Sequence, residues 1–552
     1  MSPSPSSSTV EPGTPQGEAC AYDLVIVGGA FTGSSCALIM KRRRPDLRIL
    51  VVERSALFER KVGEATVEVS SVFLRRVLGL YDHLSRSHLP KHGLRYWFTD
   101  DQPRGLHEMT EVGSFDVPGL PSFQLDRPVL DGHLLDLARE EGIEVWRPAK
   151  VKAVDLEWPR NRVRVEKDGE AVDITCRWLL DASGRQAFLA KKLGLHEKFA
   201  DHPTAAVWGR WSGVKDLDDP SIVGGDARAP RLPHLSASRR LATNHFCGYG
   251  WWCWVIPLAD GRTSIGLVYN KELFQLPSDT ADDGNSTWRK RYEHFLRSAD
   301  GLRELLADAE LDGRDFMAMQ HLAYRSKTYM DLGWALLGDA ASFIDPYYSP
   351  GLDHVAISVF ATAHLLEQDL KAGETADSAE HTKALRHKIT AHNEDFRASF
   401  EQWWGALYDG KYELFGDADL TRCAFQMDTG LYYAAVVSSV ERDIDSLRNP
   451  IFGSLRQSVY AYRMTRWFNQ RLVSLARFRR RAGLYGGSNV GRRFLSKSFA
   501  PGPGPAVRPI STALRIWLRA EMQRLAFRLR PGRVKQAQDV ASANPASEPT
   551  PT

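Results

Sequence analysis

One strand–turn–helix–strand segment near the N-terminus restricts the fold more than any other part of the chain. A buried strand is predicted at residues 22–27, a glycine-rich turn follows at 28–33, and a helix is predicted at 34–43. A second apolar run, 47–52, ends at Glu53. Glycines permit the tight turn, a helix N-terminus attracts a pyrophosphate, and a terminal acid accepts ribose hydroxyls. The segment therefore predicts a doubly wound α/β domain that binds a dinucleotide.

Small or hydroxyl-bearing side chains fill the turn, and those predicted to contact the dinucleotide are Gly28, Gly29, Ala30, Thr32 and Gly33. Ala30 occupies the place of the middle glycine in the usual pattern and leaves less room for the pyrophosphate. The acid predicted to hold the ribose is Glu53.

Two later strands return to the same ligand. The predicted strand at 177–180 leads into Asp181 and the small residues 182–184, and the apolar run 333–337 leads into Gly338 and Asp339. Dinucleotide domains for NAD close without such late returns. The layout resembles the FAD-binding fold of aromatic hydroxylases, with Arg127 ahead of a further predicted helix and strand.

The stretch 338–353, GDAASFIDPYYSPGLD, combines a rigid loop with the start of a helix. Phe343, Pro346, Ser349 and Gly351 have the spacing F-x-x-P-x-x-S-x-G. Pro346 fixes one backbone angle, and Gly351 allows the backbone to approach a ligand closely. Amides at the start of the following helix present partial positive charge to an anion. An ordinary strand–loop–helix turn is the alternative interpretation.

A tryptophan-rich strand, WCWVIP at 252–257, forms the next motif. Its alternation places Trp252 and Trp254 on one face, where two large rings would wall off a cavity and exclude water. The alternative is a bulky sheet core. Ile256 and Pro257 complete the motif W-x-W-x-I-P.

Taken together, the glycine-rich turn, W-x-W-x-I-P and F-x-x-P-x-x-S-x-G resemble the flavin-dependent halogenases over residues 22–360. The resemblance implies that FADH2, oxygen and chloride or bromide yield hypohalous acid, and that the tryptophans keep the substrate away from the flavin. It assigns halide binding to Ser349, Pro350 and Gly351. Residues 62–66, VGEAT, match a segment that covers the flavin in this family, which assigns Glu64, Ala65 and Thr66 to the cofactor.

The essential lysine of the family corresponds to Lys91, ahead of a short aromatic strand. An ammonium there can hydrogen-bond hypohalous acid, or its amine can form a chloramine. Either presents electrophilic halogen at one carbon, and burial would lower the lysine pKa. Tyr348 stands where members that act on free tryptophan carry a glutamate, so the resemblance implies a phenol-type substrate.

Composition and layout limit the remaining possibilities. The chain has 552 residues and a net charge of +4, which does not indicate nucleic acid. Neither a transmembrane run nor a signal peptide is visible, and six scattered cysteines predict reduced thiols in the cytoplasm. No metal site is expected. We predict a disordered tail at 1–20, an FAD-binding core with an interleaved substrate sheet at 21–360, a helical domain at 361–530 and a second tail at 531–552.

A basic, acid-free segment lies within the helical domain. Residues 446–520 contain 15 Lys and Arg but no Asp or Glu. An apolar stripe on its last helix comprises Leu514, Trp517, Leu518, Met522, Leu525 and Leu529. Such a segment could lie on an acidic partner or a membrane surface, although a docked helix with a solvated basic face is the simpler interpretation.

The predicted function is halogenation of a small, free phenol. The resemblance implies that reduced FAD comes from a separate flavin reductase, because no second nicotinamide-binding unit is visible here. Three alternatives remain open: halogenation of an aromatic tethered to a carrier protein, direct oxygen insertion by a flavin monooxygenase, and a non-catalytic FAD-binding scaffold or redox sensor.

Overall fold

The computed structural model describes residues 21–99, 105–219, 222, 236–277, 287–373, 376–453 and 456–529. Both predicted tails, 1–20 and 531–552, lie outside this part of the chain.

An eight-stranded, mainly parallel sheet carries the nucleotide-binding motifs. Its strands are β1 (Tyr22–Val27), β2 (Ile49–Val52), β7 (Glu144–Trp146), β8 (Ala149–Asp155), β9 (Asn161–Lys167), β10 (Glu170–Asp181), β19 (Met330–Asp331) and β20 (Trp334–Leu336). The order is β19-β20-β10-β1-β2-β7, and the β8–β9 hairpin joins β10. Strands β20, β10, β1, β2 and β7 run parallel. Their nearly unbroken apolar runs are buried on both faces, as parallel sheets require.

A second sheet of nine strands stands beside the first and is mainly antiparallel. Its strands are β4 (Leu94–Phe98), β5 (Thr110–Ser114), β12 (Thr204–Ser212), β13 (Thr243–Gly248), β14 (Trp251–Pro257), β15 (Thr263–Asn270), β16 (Glu310–Leu311), β17 (Met317–Met319) and β22 (Arg493–Ser496). The order is β16-β12-β15-β14-β13-β4-β5-β22, with β17 paired to β12. The chain enters this sheet between visits to the first one, which is the predicted interleaved arrangement.

Five short strands form two small sheets: β3 (Leu89–Pro90) with β6 (Phe123–Gln124), and β18 (Tyr324–Ser326) between β11 (His196–Lys198) and β21 (Ser342–Phe343). The α-helices are α1 (Phe31–Arg43), α2 (Glu68–Val72), α3 (Tyr81–Ser87), α4 (Arg127–Glu140), α5 (Phe188–Lys192), α6 (Trp288–Ser298), α7 (Leu302–Leu305), α8 (Gly351–Leu370), α9 (Ala379–Trp403), α10 (Ala418–Leu431), α11 (Ser438–Arg442), α12 (Arg456–Arg481) and α13 (Pro503–Arg528).

Helices α1, α4 and α8 bury one face of the first sheet, and the β8–β9 layer with α5 covers the other. Helix α1 starts at the glycine-rich turn and α8 starts at the loop that follows β21. The predicted α/β class is thereby confirmed. None of the helices in the described ranges is long and apolar enough to cross a membrane.

The predicted helical domain, 361–530, contains one strand that the sequence did not indicate. Strand β22 pairs in parallel with β5, so that Arg493 lies opposite Glu111. Its four residues, RFLS, are too few and too polar for a periodicity signal. Pairing with β22 satisfies the backbone groups of β5, which would otherwise be a sheet edge. The C-terminal region therefore completes the second sheet as well as packing helices around it.

Candidate active site

A cavity of about 580 Å³ runs along the carboxyl ends of the parallel strands toward the second sheet. At one end it is lined by Gly28, Ala30, Thr32, Glu53 and Asp339, and at the other by His245, Trp252 and Trp254. Ser349 and Gly351 also line the cavity. Its volume is in the range of cofactor pockets, and its lining brings together motifs that are more than 300 residues apart in the chain.

The glycine-rich turn forms a cradle that side chains would fill. Gly28 has a φ of +103°, and a Cβ added there would stand 2.6 Å from the carbonyl oxygen of Ala182. A Cβ at Gly33 would stand 1.8 Å from the carbonyl oxygen of Gly28. The turn therefore folds tightly against the end of β10 and leaves no room for side chains at Gly28 and Gly33. A pyrophosphate fits such a cradle at the start of a helix.

Two acids offer hydroxyl-binding groups at this end. Glu53 accepts hydrogen bonds from the amides of Gly29 and Ser55, each at 2.8 Å, which fixes the carboxylate at the cavity rim. The Asp339 carboxylate has no hydrogen-bond partner in the described part of the chain, and burial raises its pKa. An unpartnered carboxylate that lines a cavity needs a donor, and the hydroxyls of a dinucleotide are donors. The residues present therefore fit FAD.

Arg127 closes the cofactor end from the side. Its guanidinium donates to the carbonyls of Val62 and Gly63 at 3.2 and 3.4 Å, and to Asp131 at 3.1 Å. Gly63 has a φ of +91°, and a Cβ there would lie 2.6 Å from the guanidinium. The loop that contains the VGEAT segment is therefore held against the first sheet.

Glu64, from the same loop, forms a buried ion pair with Arg210, which also contacts Asp315 at 2.9 Å. Burial raises the Glu64 pKa, and the Arg210 charge opposes that shift. This network ties the loop to β12 of the second sheet. Glu64 and Ala65 both line the cavity, so the loop forms part of its wall.

The loop ahead of α8 has a strained backbone. Tyr348 and Ser349 have φ values of +72° and +57°, in a region that non-glycine residues rarely adopt. The Ser349 amide donates to the Pro346 carbonyl at 2.9 Å, and the Tyr348 hydroxyl donates to Asp428 at 3.0 Å. These contacts hold Ser349 toward the cavity at the start of a 20-residue helix. Strain of this kind is concentrated at ligand sites.

The tryptophans close the far end, and their rings lie 5.9 Å apart on one face of β14. Trp254 donates to the Ser264 hydroxyl at 3.2 Å, and Trp252 donates to the Tyr412 hydroxyl at 3.1 Å. Tyr412 in turn donates to Asp345 at 2.8 Å. Asp345 belongs to the loop that precedes α8, so the tryptophan strand and that loop are joined through Tyr412. Neither Asp345 nor Tyr412 was predicted as a site residue.

Lys91 is buried, with 4% of its surface exposed. Its ammonium donates to the Thr66 carbonyl at 2.8 Å, and its backbone is held by Ser122. Burial lowers the Lys91 pKa to about 8, although the nearby charges of Glu68 and Asp353 raise it. Thr66 follows the cavity residue Ala65, so Lys91 lies just behind the cavity wall.

Two tyrosines, one half-buried and one buried, hold the acids around Lys91. Tyr432 donates to Asp353 at 2.8 Å, and Tyr433 donates to Glu68 at 2.5 Å. The two tyrosines open a π-helical turn, Tyr432–Val437, a distortion that is frequent at functional sites. Burial raises the Asp353 pKa to about 7. Glu68 and Asp353 were missed from sequence, although Asp353 stands only two residues after Gly351.

Most predicted site residues meet at this cavity. Those that line it are Gly28, Ala30, Thr32, Glu53, Glu64, Ala65, Arg127, Trp252, Trp254, Ile256, Asp339, Phe343, Pro346, Ser349 and Gly351. Those that do not are Gly29, Gly33, Thr66, Lys91, Asp181, Pro257, Gly338 and Pro350. The Asp181 carboxylate is turned to the amides of Ser183 and Leu189, at 2.9 and 2.7 Å, and supports its own turn rather than facing the cavity.

Comparisons with known proteins cover the same residues. The family model described as tryptophan halogenase matches residues 23–114 and 107–400. Flavin-dependent halogenase chlA of Dictyostelium discoideum is 28% identical over 382 residues, which are 63% of this chain and 60% of that protein. The 1H-pyrrole-2-carbonyl-[peptidyl-carrier protein] chlorinase of Pseudomonas fluorescens is 25% identical and is matched over 69% of this chain and 82% of its own length.

Among solved structures, halogenase PltM superimposes with a TM-score of 0.68 at 18% identity, over 91% of this chain and 98% of PltM. PltM has also been solved in complex with phloroglucinol and FAD. The likeness to PltM establishes the fold alone, and the family model supplies the relationship in sequence.

Proposed function

The chain belongs to the tryptophan-halogenase family of flavin-dependent halogenases, and we propose that it halogenates a small, free, electron-rich phenol. The reaction would use FADH2, oxygen and chloride or bromide. The expected enzyme class and cofactor are confirmed by the family match. The choice of substrate, the roles of individual residues and the source of the reduced flavin belong to the proposal.

The observation that carries the proposal is the position of Lys91. A buried ammonium, flanked by Glu68 and Asp353, lies one residue behind the wall of the flavin cavity. A monooxygenase that inserts oxygen directly needs its substrate against the flavin, and it has no use for a lysine in this place. A scaffold or redox sensor has no use for it either.

The cofactor-holding residues follow from the cavity. The Gly28–Gly33 turn would bind the pyrophosphate, and Glu53 and Asp339 would accept hydroxyls of the cofactor. When bound in its reduced form, FAD activates oxygen for oxidation of the halide. Ser349 and Gly351 would hold the halide, because the strained loop and the start of α8 present donor groups there.

The remaining residues direct the hypohalous acid and exclude water. Trp252 and Trp254 line their end of the cavity with two large rings, and His245 beside them is uncharged because burial lowers its pKa to about 3. The Lys91 ammonium would hydrogen-bond hypohalous acid and polarise its halogen. The protonated form is favoured over a chloramine because the ammonium already donates to a carbonyl and has two acids near it.

A phenol suits this arrangement better than an unactivated ring. Tyr348 stands where tryptophan-specific members have a glutamate, and its hydroxyl is engaged with Asp428. A phenol needs less assistance because losing its own proton activates the ring. PltM binds phloroglucinol, which is a phenol. One relative is named as a chlorinase of a carrier-bound pyrrole, and that substrate class is the second candidate.

Substrate form is tested by supplying one acyl phenol free and loaded on a carrier protein, with FADH2, oxygen and halide. We expect a halogenated free phenol, with a product mass that changes when bromide replaces chloride. Reaction of the loaded form alone would contradict the free-substrate proposal. A hydroxylated product at saturating halide would favour the monooxygenase.

The expected reductase partner is tested by comparing halogenation when a separate reductase supplies FADH2 with halogenation when NADH is supplied alone.

Cysteine usage agrees with a reducing compartment. The five cysteines within the described residues are buried and form no disulfide, which supports the proposal that the enzyme works in the cytoplasm.

A further inference from the structure

Helices α12 and α13 lie side by side, and the residues that contact each other are 49 or 50 positions apart in the chain. The rings of Trp467 and Trp517 are 5.7 Å apart, and those of Phe478 and Phe527 are 5.6 Å apart. Between these contacts, the Arg524 guanidinium donates to the Ser474 hydroxyl at 3.1 Å. The two helices therefore run parallel and present one shared outer surface, which we call the α12–α13 face.

Large apolar side chains cover the outside of this face. On α13 they recur at helical spacing along one side, and on α12 they occupy the first half of the helix. They are Tyr460, Met464, Trp467, Leu514, Leu518, Met522, Leu525 and Leu529. Met522 is 60% exposed and Leu525 is 59% exposed. With an offset of 50 residues, Met464 aligns with Leu514, so the two stripes form one patch. A patch of this kind on a water-soluble domain marks a binding surface.

A row of arginines borders the apolar stripe of α13. Arg508, Arg515 and Arg519 occupy the adjoining side of the helix and line a groove of about 1210 Å³. Arg422 lies across the groove, and its pKa is lowered by burial and by the charges of Arg519 and Arg515. Asp419 is the one acid among the described residues that line this groove. The arginine row therefore carries positive charge that acids of the described chain do not balance.

The remaining charges of the face are also positive. Helix α12 contains eight arginines and no acid. The one acid of α13, Glu521, is paired with Arg471 of α12. An occupant must therefore bury leucines, methionine and tryptophan and supply anions beside them.

We propose that the α12–α13 face binds the surface of an anionic phospholipid bilayer. The apolar stripe would enter the boundary between headgroups and acyl chains, and Arg508, Arg515 and Arg519 would reach the lipid phosphates. Interfacial helices combine these two features, and long arginine side chains place their charge at the headgroups while their stems remain apolar. The inference does not rest on the proposed substrate.

A second copy of this chain fits the face less well. Two such faces would bring like charges together around their apolar stripes. The helices also lack the apolar length to cross a bilayer, so the contact would be peripheral. Anionic lipid supplies both an apolar layer and a dense array of phosphates.

Vesicle sedimentation with the full chain tests the proposal. The probes are phosphatidylcholine vesicles with and without phosphatidylglycerol, at low and high salt. We expect binding at least about tenfold tighter to the anionic vesicles, weakened by salt, because each arginine near such a surface adds electrostatic attraction to the lipid phosphates. Tryptophan fluorescence should be quenched by brominated acyl chains, and the quenching should decrease in Trp467→Phe.

Two variants separate the apolar and charged parts. Leu518→Ser/Met522→Ser/Leu525→Ser should weaken binding to anionic vesicles by about tenfold or more. Arg515→Gln/Arg519→Gln should weaken it and reduce its dependence on salt. Val129→Ser/Leu193→Ser removes exposed apolar side chains elsewhere and should change nothing. All are surface positions, and equal thermal unfolding temperatures would show that folding is intact.

Three results would overturn the proposal. The first is a wild-type protein that stays in solution with anionic vesicles. The second is equal vesicle binding by the triple variant. The third is a dimer, or a complex with an acidic carrier protein, that the triple variant loses while vesicles bind neither form.

Discussion

The nucleotide-binding edge and the surroundings of Lys91 are built in opposite ways. At the edge, backbone dominates: the turn at Gly28–Gly33 and Glu53 belong to one short segment. Around Lys91, side chains dominate, and the segment 66–68, Asp353 and the tyrosines at 432–433 come from three separate parts of the chain. The turn and the first acid of a cofactor site can thus be specified locally, although Asp339 joins them from a later strand, while the reacting end depends entirely on the completed fold.

Removing the lysine should have the largest effect, and it should act on the reacting end alone. We expect Lys91→Ala to lower halogenation by about 10²–10⁴-fold, the usual contribution of a positioned proton donor. FAD binding and the oxidation of reduced flavin should be unchanged, because Lys91 does not line the cofactor cavity. Product mass spectrometry and FAD titration measure the two effects. The exposed Lys198→Ala is the control, and retained halogenation in Lys91→Ala would remove the lysine from its role.

Gly33→Ala should instead affect the nucleotide-binding edge and leave the reacting end intact. A Cβ there would stand 1.8 Å from the Gly28 carbonyl oxygen, so the turn must shift. Overpacking of this kind costs on the order of 1–3 kcal/mol, and we expect FAD affinity to fall by about tenfold to a hundredfold. Halogenation should recover at saturating FADH2. Gly132→Ala, a helix position with no atom within 4 Å of the added Cβ, should bind FAD normally. Normal FAD binding by Gly33→Ala would contradict the cradle.

A pH series tests which charge state of Lys91 is active at the reacting end. If the ammonium is the working form, halogenation of a pyrrole or indole, which has no hydroxyl to ionise, is full below the Lys91 pKa of about 8 and declines as pH rises through it. Asp353 is charged above its own pKa of about 7 and then stabilises the ammonium. Asp353→Asn should move the decline to lower pH, with a loss of up to about tenfold near pH 8 and little change below pH 7.

The exposed Asp201→Asn serves as the control for that series. A profile that rises above pH 8 would identify the neutral amine, and therefore a chloramine, as the working form. An unchanged midpoint in Asp353→Asn would show that this acid does not act on Lys91.

The smallest effect concerns the link between the tryptophans and the halide loop. Tyr412→Phe removes the hydroxyl that joins Trp252 to Asp345. We expect the free energy of unfolding to fall by about 1–3 kcal/mol, because two buried partners lose a hydrogen bond, and halogenation to fall only a few-fold. Tyr22→Phe, which removes an exposed hydroxyl contact with Glu144, should have almost no effect on either. Denaturant unfolding and initial rates provide the measurements.

Sequence reasoning predicted the features that are specified within one short segment of the chain. Strand β1, the glycine turn and Glu53 were predicted in order, and the alternation of Trp252 and Trp254 correctly placed both rings on one face. It failed at Glu68 and Asp353, because nothing in their spacing indicates that Tyr432 and Tyr433 will fold over them. Asp181 follows a strand as a ligand-binding acid would, yet its carboxylate is used by its own turn.

The short strand β22 also determines when the second sheet can be completed during synthesis of the chain. Its partner β5 is made 382 residues earlier, as the pairing of Arg493 with Glu111 implies (493 minus 111). At a translation rate of about 5–20 residues per second, the edge of β5 waits roughly 20 to 80 s for its neighbour. Contacts of such long range fold slowly. A nascent chain that stops before β22 would already hold the FAD turn, but it would expose the edge of β5 to other chains.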